Sequence, residues 1–269
     1  MYAASPLDRR TFIADLGRGA LALAIFTVAG CGPTALVTPT PTAAGPAGSD
    51  GPPSGGPGPT PTSTPSDGAT GGPPGGVAWE RVNLGFVSAY VLARAGEAAL
   101  VDTGVEGSAD AIEASLGAVG LDWGAVGHVI LTHHHADHVG STAEVLRRAT
   151  GASAYAGAAD ISSIPTGPLT AIGDEDEVFG LRIVASPGHT AGSISVLDPI
   201  AGVLVAGDAL RTEAGRPALP SPQFTVDMDR ARQSIVTLGA LAFEPLLVGH
   251  GEPLVGGASA MVAELGATG

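Results

Sequence analysis

Lysine is absent from this chain, asparagine occurs once, as Asn83, and cysteine once, as Cys31. The missing lysine and near-missing asparagine follow the codon bias of a GC-rich genome and carry no chemical message. The single cysteine carries one. No internal disulfide can form, so the folded part must be held by packing and by any metal its side chains bind. Positive charge is scarce as well. The formal charge of the whole chain is −14, and from Val77 onward 9 arginines face 22 acidic residues, a net of −13. A surface of that sign repels a phosphate backbone, which disfavours nucleic acid and leaves a small-molecule substrate as the expected partner. Beyond Trp79 no apolar stretch reaches the roughly 20 residues that a helical membrane span takes. No GxSxG surrounds Ser193 or Ser195, which leaves a serine-hydrolase reading without support.

Glycine and proline, by contrast, are abundant, at 41 and 22. They crowd between Gly32 and Gly76, where 12 of each occur with no arginine and almost no bulky apolar side chain after Val37. Such a segment cannot offset the entropy of ordering. Residues 32–76 are therefore expected to be a disordered tether, spanning about 40 Å as a random coil and about 140 Å in polyproline form. Ahead of it, Arg9 and Arg10 precede an apolar run from Gly19 to Gly30 that is too short to cross a bilayer. Residues 1–31 read as an export signal. Arg9-Arg10-Thr11-Phe12-Ile13 resembles a twin-arginine signal, with Asp8 where serine or threonine is usual and Ala14 where lysine is common. Val28-Ala29-Gly30-Cys31 resembles the lipobox of bacterial lipoproteins. It implies lipid attachment at Cys31, export, and anchoring to the outer face of the cell membrane, with the lipid as the only membrane contact.

The folded domain is expected over residues 77–269. Phe86 to Ala93 and Ala98 to Val101 read as strands joined by a turn, and Val129-Ile130-Leu131 as a buried strand. Leu181 to Ala185, Ser193 to Leu197, Val203 to Ala206 and Pro245 to Val248 read as further strands. Helical spacing runs through Ile112, Leu116 and Val119 with Ser108 as N-cap, and helices are expected from Asp137 to Ala149, Asp227 to Leu241 and Ala258 to Leu265. Strand pairs interleaved with helices predict two sheets, each covered on its outer face by helices.

Directly after the strand ending at Leu131 comes Thr132-His133-His134-His135-Ala136-Asp137-His138, rich in side chains that bind metals. Alternation can point His133 and His135 to one side, while the turn into the next helix carries Asp137 and His138 to a neighbouring site. Pro187-Gly188-His189-Thr190, Gly207-Asp208 and Gly249-His250-Gly251 each put one further ligand type straight after an apolar run. Imidazole and carboxylate together suit zinc, with iron and manganese as substitutes. Seven such side chains are enough for two divalent ions. His134 is expected to point away from them, and His128 to be solvent-facing or hydrogen-bonded.

The series HxHxDH, PGHT, GD and GHG, with Val101-Asp102-Thr103-Gly104 upstream, resembles the metallo-β-lactamase superfamily over essentially all of residues 79–269. The resemblance implies an α/β fold, a four-layer αββα sandwich. It also implies that His133, His135 and His189 hold one metal, that Asp137, His138 and His250 hold a second, and that Asp208 bridges them. Asp102 would lie behind the ligands and orient one of them. A metal-bridging hydroxide would attack the substrate, with Asp137 as the catalytic side chain that orients it and carries a proton. Zinc β-lactamases of this pattern would carry cysteine or histidine at position 208, so antibiotic hydrolysis is not expected. Glyoxalase II shares the ligand set but adds a helical portion with basic residues for glutathione, whereas 19 residues follow His250 here. The leading expectation is a glyoxalase-like hydrolase of a thioester, lactone or other ester. The alternatives are a mononuclear iron persulfide dioxygenase-like enzyme, using His133 or His135 with His189 and Asp208, and a non-catalytic surface lipoprotein on the same scaffold. The latter predicts lost ligands, and none is lost.

Overall fold

The computed structural model describes residues 74–268. The expected export signal, Cys31 and the tether as far as residue 73 lie outside the described residues. Strands β1 (Ala78–Asn83), β2 (Ser88–Arg94), β3 (Glu97–Val101), β4 (Val126–Leu131), β5 (Ser153–Gly157) and β6 (Thr170–Ile172) form one sheet in that order. The first three strands are antiparallel, and β3 to β6 run parallel. Strands β7 (Glu177–Val178), β8 (Leu181–Ala185), β9 (Ile194–Asp198) and β10 (Val203–Gly207) belong to a second sheet. A two-stranded ribbon of β11 (Arg211–Glu213) and β12 (Arg216–Ala218) follows, and β13 (Leu246–Val248) returns to pair with β10 in the order β13-β10-β9-β8-β7. The helices are α1 (Ala109–Ala118), α2 (Ala136–Val139), α3 (Thr142–Arg148), α4 (Met228–Gly239) and α5 (Ala258–Thr268). Among the described residues no helix is long and apolar enough to cross a membrane.

The layers follow from period-two alternation on strands that are apolar on both faces. Leu92, Val101 and Ile130 of the first sheet meet Ile183, Val196, Val205 and Leu247 of the second in a core between the sheets. Their neighbours Val91, Leu100, Val129 and Leu131 face the other way and pack on Ile112 and Leu116 of α1 and Val145 of α3. Val184, Leu197, Leu204 and Val248 pack on Ile235 and Leu238 of α4 and Val262 of α5. The result is the expected four-layer αββα sandwich.

Three local expectations differ from the structure. The single helix expected from Asp137 to Ala149 is two, α2 and α3, broken at Gly140 and Ser141. The chain before α1 takes the backbone groups that a continuous helix would use: Thr103 N–H donates to the His138 carbonyl (2.7 Å) and Gly140 N–H to the Gly104 carbonyl (2.8 Å). A Cβ at Gly140 would stand 2.5 Å from the Glu106 nitrogen and 2.6 Å from the Ala136 oxygen, so only glycine allows this approach. Ser108 does occupy the position before α1, but its hydroxyl donates to the Val105 carbonyl (2.8 Å) instead of capping the helix. The short strands β1, β5 to β7, β11 and β12 were not foreseen, since each is too short or too mixed in polarity to show a periodicity of its own. Asp227, by contrast, caps α4 by accepting from Arg230 N–H at 2.9 Å.

The end of β5 lies so close to the β8–β9 loop that a Cβ on Gly157 would overlap the Gly192 carbonyl. Gly157→Ala is therefore expected to lower the stability of the folded domain by about 1–3 kcal/mol. Gly117→Ala, on the exposed face of α1 with open space around it, is expected to raise it by about 0.5–1 kcal/mol. Denaturant midpoints measured side by side check both signs.

Candidate functional site

The metal-ligand side chains singled out in the sequence all sit just past strand ends. His133, His135, Asp137 and His138 follow β4, His189 lies between β8 and β9, Asp208 directly follows β10, and His250 follows β13. The fold brings all seven together. Ligand atoms of His133, His135 and His189 lie within 4.8 Å of one another, as do those of His133, His138 and Asp208, and those of Asp137, His138 and His250. His135 Nδ1 stands 3.1 Å from His133 Nε2 and 2.9 Å from His189 Nε2. Nitrogens bound at about 2.0–2.1 Å to one zinc ion are spaced about this far apart.

Partners on the far side of each ring aim the nitrogens inward. Thr132 Oγ1 donates to Asp102 Oδ2 (2.8 Å), which leaves it to accept from His133 Nδ1 (3.1 Å). Thr225 Oγ1 donates to the Ser221 carbonyl (2.9 Å) and so accepts from His189 Nδ1 (3.2 Å). His138 Nδ1 donates to Asp102 Oδ2 (2.7 Å), and His250 Nδ1 to the Phe86 carbonyl (2.7 Å). With each Nδ1 carrying the proton, the Nε2 of these four rings is the atom left for the centre.

The electrostatics divide the site in two. Burial first, and then the neighbouring His138 charge, push His133 well below the ordinary histidine value. Burial also lowers His135 and brings His189 down to about 4. These three rings are neutral, the form in which imidazole can bind a metal. On the other side, burial opposes charge on His138, but the Asp208 and Asp102 carboxylates outweigh it and raise His138 well above its usual value. Contact with Asp137, then with Asp208, pushes His250 up to about 10. Asp137 is lowered chiefly by His250, and Asp208, although burial would raise it, is held well below the carboxylate range by His138. A cluster that draws protons onto two imidazoles is a cluster that attracts cations.

Asp208 reaches both sides. Its Oδ2 lies 3.4 Å from His189 Nε2 and 3.2 Å from His250 Nε2, and its Oδ1 lies 3.3 Å from His138 Nε2. Asp208 Oδ1 and His138 Nε2, both buried, face each other across that 3.3 Å, and neither forms a hydrogen bond. Buried polar atoms are costly unless satisfied. A divalent ion is the partner that this donor set fits, since every atom facing the gap is an imidazole nitrogen or a carboxylate oxygen.

Asp102 lies behind the cluster and orients two of its rings, His138 directly and His133 through Thr132. Its Oδ1 also accepts from Thr132 N–H at 2.7 Å, and its own φ is +64°, a left-handed conformation rare outside glycine. His134 joins none of the three candidate metal groups; its Nδ1 lies 3.0 Å from Asp160 Oδ2. His128 packs against Tyr155 and Phe179, away from the site.

Asp160 itself was missed. It is buried, and it ties two ligand-bearing loops together, accepting from His134 N–H (3.0 Å), Thr190 Oγ1 (2.6 Å) and Gly192 N–H (2.8 Å). The available signal was the one used for Asp208, a carboxylate soon after the end of an apolar strand, here β5.

Beside the cluster opens a cavity of about 530 Å³, lined by five of the seven side chains, His135, Asp137, His189, Asp208 and His250, and by Phe86, Leu210, Arg211, Pro220, Ser221 and Phe224.

Comparison with known proteins agrees with this geometry. The family model described as Metallo-beta-lactamase superfamily matches residues 82–250. The uncharacterized protein YobT of Bacillus subtilis is 28% identical over 197 residues, 62% of this chain and 83% of that one. A hydroxyacylglutathione hydrolase of Ectopseudomonas mendocina is 43% identical over 93 residues, 33% of this chain and 34% of its own. The chain therefore spans about a third of that enzyme's length. Among solved structures, a metallo-β-lactamase family protein from Thermus thermophilus aligns with a TM-score of 0.58 at 25% identity, covering 72% of this chain and 79% of that one.

Two substitutions test the supports behind the site. In Asp102→Asn the amide oxygen is taken by Thr132 N–H, which leaves the NH2 facing His138 Nδ1, so the ring is expected to turn its proton to Nε2. Zinc affinity, read by competition with a chelator, is expected to fall about 10- to 100-fold. Asp160→Ala leaves two backbone N–H groups without their acceptor and is expected to cost about 2–4 kcal/mol of stability by chemical denaturation.

Proposed function

The chain belongs to the metallo-β-lactamase superfamily, and from that premise we propose that it is a dinuclear metallo-hydrolase cleaving a thioester, lactone or other ester. The observation that carries this reading is Asp208, which touches both halves of the histidine cluster, its buried Oδ1 facing His138 Nε2 at 3.3 Å without forming a hydrogen bond. His133, His135 and His189 would hold one ion, and Asp137, His138 and His250 the other, with Asp208 shared. Members of the superfamily bind divalent metals; the imidazole-rich donor set favours zinc here, and iron or manganese would also be accepted. Bound ions supply a Lewis acid for the scissile carbonyl and make water acidic enough to yield a nucleophile near neutral pH.

The remaining work falls to the chain itself. Asp137 faces the cavity, partly exposed, with Oδ2 at 3.3 Å from His250 Nε2. Its lowered proton affinity keeps it ionised, so Oδ2 can orient the attacking water and pass a proton toward the leaving group. Asp102 holds the His138 and His133 rings in the tautomer that the ions need. Neutral His133 and buried His138 exclude water from the floor of the site, where a low dielectric strengthens every charge interaction. The stretch shared with a hydroxyacylglutathione hydrolase supports acyl-bond hydrolysis as the reaction class. From the amino-acid sequence alone we further propose that the enzyme is exported and held at the outer face of the cell membrane through lipid on Cys31.

Purified protein is expected to hold two ions per chain by elemental analysis and to hydrolyse members of a panel of thioesters, lactones and phosphodiesters. Asp208→Ala is expected to bind less metal and to lose at least about a hundredfold in turnover. Retention of both ions with full activity would remove the shared-ligand role. One iron per chain with oxygen uptake on a persulfide would replace hydrolysis with oxygenase chemistry.

A further inference from the structure

Phe86 and Phe224 are two of the four phenylalanines among the described residues. Both line the cavity beside the metal-ligand cluster, and both are exposed, at 64% and 61%. Large exposed aromatic side chains that converge on one concave site mark recognition rather than packing. Each is held out by its backbone. Phe86 follows Gly85, whose φ of +88° and N–H bond to Asn83 Oδ1 (3.0 Å) form a tight turn ahead of β2. Its carbonyl is committed to His250, and its ring lies nearly parallel to the His250 ring, 6.3 Å away. Phe224 ends a single helical turn, Pro222–Phe224, and the next residue, Thr225, holds His189. The two rings therefore flank the reacting centre from opposite sets of ligands, and Leu210 and Pro220 continue the apolar wall.

The polar part of the lining is equally informative. Among the described residues, the only guanidinium in the wall is that of Arg211, and it is already engaged: Nε donates to the Leu219 carbonyl (3.0 Å) and Nη2 pairs with Glu213 (3.0 Å). The remaining titratable side chains of the wall, His135, Asp137, His189, Asp208 and His250, all belong to the metal-ligand cluster, in a domain of net charge −13. Outside the metal-ligand cluster, a substrate carboxylate entering this cavity meets only the Arg211 guanidinium, which Glu213 and the Leu219 carbonyl already share.

We propose that this cavity takes the apolar acyl chain of an uncharged ester or thioester, with Phe86 and Phe224 as the residues that set specificity, and that it disfavours glutathione thioesters, which carry two carboxylates. The proposal rests on the hydrolase reading for its chemistry and goes beyond it in naming the substrate class. An acyl chain of several carbons lies between the two rings, where each buried methylene adds affinity, while the carbonyl lies at the end of the cavity lined by the metal-ligand cluster.

Two measurements on the metal-loaded protein test it. The first is kcat/KM for uncharged nitrophenyl esters from acetyl to octanoyl, set against a hydroxyacylglutathione thioester. The second is calorimetric binding of butanamide, hexanamide and octanamide, which needs no turnover. Both series are expected to strengthen about three- to fourfold per methylene until the cavity is filled. Phe224→Ser is expected to flatten both slopes, and Phe224→Leu to restore most of them. A flat ester series, or a preference for the glutathione thioester, would overturn the assignment of the cavity and leave the hydrolase reading standing. Amide binding that grows with chain length, without turnover of any ester, would support the cavity assignment and sink the hydrolase reading.

Discussion

The Asp102 carboxylate is the contact on which the rest of the site depends. One oxygen accepts from the Thr132 amide, and the other from the Thr132 hydroxyl and the His138 ring. Through Thr132 it also orients His133. The end of β4, where the metal-binding segment begins, is thus pinned by a group supplied from the end of β3. The cost is a residue held at φ +64°, and such strain persists only where surrounding contacts over-determine it. Here the contacts are buried charge-assisted hydrogen bonds, which are among the stronger ones a protein makes.

From that anchor the site grows as a balance of burial against charge. Desolvation keeps His133, His135 and His189 neutral, while carboxylates on the opposite side keep His138 and His250 receptive to positive charge. Asp208 faces both. Three neutral nitrogens beside a carboxylate-rich half is an arrangement that a pair of divalent ions would satisfy, and the buried Asp208 Oδ1 and His138 Nε2 find no hydrogen-bond partner within the chain. Asp160 does for the loops what Asp102 does for the strand ends. It binds the backbone of the β4 loop to the β8–β9 loop, so that His135 and His189 keep their spacing on connections that would otherwise move independently.

The architecture explains why the ligands can be so close without crowding the core. The apolar residues alternate between the inter-sheet layer and the two helix-facing layers, and the polar segments begin only where the strands stop. The exposed aromatic rings stand on a tight turn and a single helical turn: Phe86 holds His250 through its own carbonyl, and Phe224 precedes Thr225, which holds His189. On the proposed reading, substrate selection and metal geometry are coupled through short stretches of backbone.

Much of this was legible in the amino-acid order. The buried strands announce themselves by apolar runs, α4 by its periodicity and its Asp227 cap, and the seven ligand types by their position just after strands, because those signals arise from residues adjacent in the chain. The break between α2 and α3, the diversion of the Ser108 hydroxyl, the clamp at Asp160 and the pairing of Phe86 with Phe224 were not. Each depends on a backbone or side-chain group that arrives from a distant segment, such as Gly104 against Gly140 or Thr190 against Asp160. Local pattern decided which side chains would be offered at the sheet edge. Only the packing of the two sheets decided which way they point and what stands beside them, since a hydrogen bond or a cavity wall exists only once both of its sides are in place.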